Sequence, residues 1–78
     1  MPWSVEREGA AVHVRIGGAT DWEALYDRIR AELLQPTERI IIPAELHDAT
    51  RTEANMLEML RRTLADTGIP VEAPDTSN

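Results

Sequence analysis

Hydrophobic and polar residues alternate twice near the start of the chain. Over 3–8, Trp3, Val5 and Arg7 fall on one side and Ser4, Glu6 and Glu8 on the other, the period-two pattern of a strand with one wet face. Residues 11–16 repeat it, with Val12, Val14 and Ile16 set against Ala11, His13 and Arg15. Between them Glu8-Gly9-Ala10 supplies a turn in which Gly9 is free to take positive φ. The two segments predict an antiparallel hairpin, with room for a short bulge at the glycine. Gly17-Gly18 ends the second strand.

The period then changes. Thr20-Asp21-Trp22-Glu23 matches a capping box with Thr20 at the N-cap. Behind it Trp22, Leu25, Tyr26, Ile29 and Leu33 recur at spacings of three and four, with Glu23, Asp27, Arg28 and Arg30 on the opposite face. Pro36 stops this helix by Leu34. Arg39-Ile40-Ile41-Ile42-Pro43 is the one continuous apolar run, suited to a central strand reached by a crossover and so parallel to the second strand. Thr50-Arg51-Thr52-Glu53 is a second capping box, opening a helix with Met56, Leu57, Leu60 and Leu64 on one stripe. Arg61 and Arg62 lie towards its C-terminal end, where the dipole favours cations. Thr67-Gly68-Ile69-Pro70 is a stop signal with glycine expected at C′, and Ile69, Val71 and Ala73 give a last short strand.

The expected order is β-β-α-β-α-β in one small α/β (α+β) domain over residues 1–73, with 74–78 as a disordered tail. Right-handed crossovers place both helices on one face of a four-stranded mixed sheet, a two-layer sandwich. The helices would cover Trp3, Val5, Val12, Val14, Ile16, Ile40, Ile42, Ile69 and Val71. The other face would show Ser4, Glu6, His13, Arg15, Ile41 and Glu72. Apolar Ile41 at its centre, beside His13 and Arg15, marks a candidate oligomer face.

Composition narrows the function classes. The chain has 78 residues, 42% hydrophobic and 28% charged, too apolar for intrinsic disorder. It has no cysteine, which excludes a disulfide framework, a thiolate zinc site and a thiol nucleophile. The triple isoleucine is far too short for a membrane span, and Met1-Pro2-Trp3-Ser4 does not read as a signal peptide, so the expectation is a cytoplasmic protein without a membrane partner. Fourteen acids against eight basic residues, all arginine, give a net charge of -6. Nucleic-acid binding needs a basic footprint, and none is visible.

Candidates for chemistry are few. His13 falls mid-strand on the polar face. Glu45, His47 and Asp48 cluster after the central strand, where α/β proteins place ligands, and could bind a divalent metal or act as an acid–base pair; read as a polar loop leading into a helix, they need neither. Gly17-Gly18 fits neither phosphate-binding glycine pattern, and Ser4 and Ser77 sit in no nucleophile elbow. At the start of the second helix, Thr50 and Thr52 lie where the helix dipole would welcome a phosphate, helped by Arg51. The same threonines serve equally as helix caps. Met59 lies off the apolar stripe and reads as a soft contact.

The hairpin, first helix, hydrophobic strand and Asp48-Ala49-Thr50 leading into a helix resemble the STAS domain of anti-sigma-factor antagonists, over roughly residues 3–73. The resemblance implies a partner kinase that phosphorylates a Ser or Thr at the position of Thr50, with Thr52 nearby. No glycine follows the threonines here, and Pro43 stands where the family has an aspartate. The element order of an acidic chain also loosely resembles barstar-type nuclease inhibitors.

These readings converge on a non-catalytic, cofactor-free regulatory module that binds a protein partner or a second copy of itself. The residues expected to carry binding are Asp48, Thr50, Arg51, Thr52, Asn55 and Met59, with the open sheet face as the other surface. The alternatives are an acidic inhibitor or immunity-type protein masking a basic site on a toxin or nuclease, and a self-assembling subunit using Ile41.

Overall fold

The computed structural model describes residues 3–17, 20–46 and 49–74. In chain order it contains β1 (Trp3–Glu8), β2 (Ala11–Ile16), α1 (Trp22–Glu32), β3 (Arg39–Ile41), α2 (Arg51–Ala65) and β4 (Val71–Glu72). This is a small α+β protein with two helices and a four-stranded mixed sheet. The strands lie side by side as β1-β2-β3-β4, the first pair antiparallel and the other two parallel. Among the described residues no helix is long and apolar enough to cross a membrane. Of the expected tail, residues 75–78 lie outside the described part.

Gly9 takes φ 62, so the chain reverses across Gly9 and Ala10 and pairs without interruption from Glu8↔Ala11 to Trp3↔Ile16. The bulge allowed for at this glycine is absent, because a two-residue turn leaves nothing to insert. The register sets Val5 opposite Val14, Val12 beside Ile40 and Ile40 beside Val71. On that side of the sheet the valines and isoleucines are buried with Leu25 and Ile29 of α1 and Leu57, Leu60 and Leu64 of α2. All the strand residues expected in the core lie within this cluster or pack against it, Trp3, Ile16, Ile69 and Val71 at its margin.

The caps differ from expectation in two places. Asp21, not Thr20, is the N-cap of α1, and its carboxylate accepts from the Ala24 N–H at 3.1 Å. Thr20 instead donates its hydroxyl to the Gly17 carbonyl at 2.7 Å. Starting the helix one residue later puts Glu23 too early to close the expected box. At the end of α2 the cap is Asp66, and Gly68, with φ 86, lies two positions beyond it rather than next to it. Thr67 fills the gap, its hydroxyl donating to the Leu64 carbonyl at 2.6 Å.

Helix α1 ends at Glu32 with Leu33 as its cap, short of Leu34, which is 88% exposed. What holds this end is Arg7, on the apolar side of β1 by its pairing with Val12. Its Nε donates to Glu32 Oε1 at 2.8 Å, and its Nη2 to the Glu32 carbonyl and Thr37 Oγ1, each at 2.8 Å. Nη1 reaches the carbonyls of Pro36 at 2.9 Å and Gly9 at 3.3 Å. Glu32 also accepts from Arg28 Nη1 at 2.7 Å. Hydrogen bonds from Arg7 first and Arg28 second hold the Glu32 carboxyl below its ordinary value of 4.5.

Two outcomes are expected. Arg7→Ala should destabilise the fold by about 2 kcal/mol in urea unfolding, since it strips a charged donor from partly buried acceptors. The lowered carboxyl of Glu32 contributes stability that is present above its ordinary 4.5 and lost as pH falls through the folded value. The stability gap between wild type and Glu32→Gln should therefore narrow on acidification below that point; a gap independent of pH would refute the assignment.

Candidate functional site

The N-terminus of α2 forms as its sequence dictates. Thr50 is the N-cap with φ -71 and ψ 166, and both halves of the capping box close. The Glu53 N–H donates to Thr50 Oγ1 at 3.1 Å, and the Thr50 N–H to Glu53 Oε1 at 3.0 Å. The Thr50 hydroxyl itself lies 3.3 Å from Glu53 Oε1, to which it donates. This hydroxyl is thus engaged in structure, and a phosphate placed on it would meet a carboxylate; phosphorylation there requires the box to open.

Arg51, Thr52, Asn55 and Met59 are all exposed. They follow one another at helical spacing, Arg51 and Thr52 one turn before Asn55, and Asn55 one turn before Met59. The structure thus brings four of the expected binding residues onto one side of α2, with Thr50 at its head. Asp48 lies outside the described residues, as does His47. Glu45 is exposed, and among the described residues no group of three His, Cys, Asp or Glu side chains is placed to hold a metal ion.

Met59 leads to a feature that sequence reasoning missed. Between α1 and α2 runs a groove of about 390 Å³, walled by Trp22, Glu23 and Tyr26 on one helix and Met56, Met59, Leu60 and Thr63 on the other. Met59 is 62% exposed, while Trp22, Tyr26 and Met56 are half-buried. The Arg30 guanidinium stands over the Tyr26 ring at 5.6 Å from its centroid, within cation–π range. Periodicity assigned Trp22, Tyr26 and Met56 to the buried stripes; in the structure Leu25, Ile29, Leu57 and Leu60 occupy the interior, and the larger side chains stand at its edge. The available signal was the width of the stripes, an i,i+4 aromatic pair and an i,i+3 methionine pair beside leucines that already fill the core.

The other candidate surface is polar. Register aligns Glu6, His13, Ile41 and Glu72 in one row across the sheet, with Ser4 and Arg15 in the neighbouring row. His13 Nε2 lies 3.7 Å from Glu8 Oε1. Arg15 is exposed, whereas Ile41 is half-buried and offers no large apolar patch.

Thr50→Ala should lower stability by about 1 kcal/mol in thermal unfolding, and Thr50→Ser should restore most of it, as the loss and recovery of a cap. A neutral Thr50→Ala would show the box to be dispensable.

Compared with known proteins, the chain matches no family model, no curated protein and no solved structure.

Proposed function

We propose that the chain is a non-catalytic protein-interaction module, a two-layer α/β sandwich with both helices on one face and a STAS-like element order. A protein partner seats apolar side chains in the groove between α1 and α2. The single observation that carries this reading is Met59, which stays 62% exposed beside the half-buried Trp22, Tyr26 and Met56. Exposed large apolar side chains are ordinary singly; one that adjoins an aromatic-walled groove supports a docking site. Methionine suits such a surface because its unbranched, polarizable chain repacks around different partners, and aromatic anchors are where interface energy concentrates. Thr52 and Asn55 extend the surface towards the start of α2 as a polar rim, and Thr50 holds that end in place.

The acidic-inhibitor alternative draws on the net charge of -6 and on Glu23, the one charged residue in the groove wall. The two readings differ in what a partner would feel, apolar contact or long-range charge. Partner capture from a lysate of the source cells, with wild type beside Met59→Glu, separates them. The groove reading expects Met59→Glu to weaken capture by about tenfold or more while leaving the melting temperature nearly unchanged. A partner retained by Met59→Glu and released by moderate salt supports the inhibitor instead. A partner indifferent to both refutes the groove.

A further inference from the structure

The opposite flank of α2 carries a separate feature. A crevice of about 350 Å³ is lined by Glu58, Arg61, Arg62, Ala65 and Val71. Arg62 Nη2 pairs with Glu58 Oε2 at 3.4 Å, one helical turn apart. Arg61 has no such counterpart: its Nε is buried and has no hydrogen-bond partner among the described residues. Glu45 lines a neighbouring crevice with Arg61 but forms no ion pair with it among the described residues. Buried donors without an acceptor are rare in native proteins, and a charged one is the costliest kind.

The crevice borders the outer edge of the sheet. The Ile40 N–H donates to the Pro70 carbonyl at 2.9 Å and the Ile42 N–H to the Glu72 carbonyl at 2.8 Å, so the carbonyls of 70 and 72 face β3. The backbone groups of Val71 therefore face the other way, where β4 has no neighbouring strand among the described residues. The lining holds two arginines and one glutamate, a local positive excess in a chain of net charge -6. That glutamate is already matched by Arg62.

We propose that this crevice binds a carboxylate of a peptide ligand, gripped by the Nε and Nη donors of Arg61 and approached by the Val71 N–H. A carboxylate is the planar acceptor that the guanidinium fork matches with two parallel hydrogen bonds. The side chain must turn for Nε to reach a ligand, and the turn costs little because that nitrogen gives up no hydrogen bond among the described residues. Either an acidic side chain or a chain-terminal carboxylate presents the required group.

The test follows the arginine Nε–H resonances of ¹⁵N-labelled protein, with Arg61 assigned through Arg61→Lys. Three short peptides of otherwise identical sequence serve as probes: one with a glutamate and blocked ends, one with glutamine in its place and blocked ends, and the glutamine peptide with a free C-terminal carboxylate. The expected result is a shift of the Arg61 Nε–H and the Val71 amide with one or both carboxylate-bearing peptides and none with the blocked glutamine peptide. The glutamate peptide reports a side-chain source, and the free carboxylate a terminal one. Arg61→Lys keeps the charge, loses the fork, and should bind about tenfold more weakly. Met59→Glu should bind like wild type, which separates this site from the groove. The proposal is overturned if neither carboxylate moves the Arg61 signal, if the blocked glutamine peptide moves it equally, or if Arg61→Lys binds unchanged. It also fails if Glu45→Gln shifts the Nε–H signal in the free protein, since the acceptor would then be internal.

Discussion

One arginine ties the two ends of the fold's first half together. Arg7 projects from the apolar side of β1, where a valine or leucine would be expected, yet it is not a misplaced charge. Its five donors go to the turn at Gly9, the last helical residue Glu32, and the chain at Pro36 and Thr37. The guanidinium thus donates to the Glu32 carbonyl, one of those a helix C-terminus leaves open, and ties that end of α1 to β1. With its C-terminal end fixed by Arg7 and its N-terminal end by Asp21, α1 presents Leu25 and Ile29 to the sheet. Trp22 and Tyr26 are then left on the flank that faces α2. The groove lies along that flank.

Local chemistry made much of this visible beforehand. The two alternating segments, the isoleucine run and the Thr50–Glu53 box name their own structures, because each depends on neighbours in sequence. At the start of α1 two local signals compete. Thr20 and Asp21 are both good caps, and the choice fell to a contact with Gly17 that no helical pattern encodes. Likewise, alternation alone puts Arg7 on the right side of its strand, but all its partners except Gly9 lie twenty-five to thirty residues away. The groove was the least legible feature. Its walls come from two helices whose facing flanks are decided by tertiary packing, and aromatic and methionine residues at a core margin look the same in sequence as those inside.

The two flanks of α2 differ in character although they share one helix. Towards α1 the surface is aromatic and thioether, with one carboxylate; towards β4 it is arginine-rich, beside a strand edge that no other strand covers among the described residues. The leucine stripe of Leu57, Leu60 and Leu64 separates them and anchors both. A helix that buries only a narrow stripe leaves two shoulders on which different contacts can develop without disturbing the core. The sheet row of Glu6, His13, Ile41 and Glu72, in which Ile41 is half-buried, lacks that concentration of apolar surface.

The strand order has a consequence for how the molecule is made. Because the sheet runs β1-β2-β3-β4, every strand adds beside the one synthesised just before it, and none has to wedge between two already paired. The hairpin needs only a two-residue reversal, and each later strand needs one helical crossover to close. The hairpin pairing is local, but Val12↔Ile40 and Ile40↔Val71 close only across whole helices, so the parallel part of the sheet forms more slowly than the hairpin. Among the described residues β4 is the shortest strand and packs on α2 and β3, so the sheet is most easily loosened at that edge.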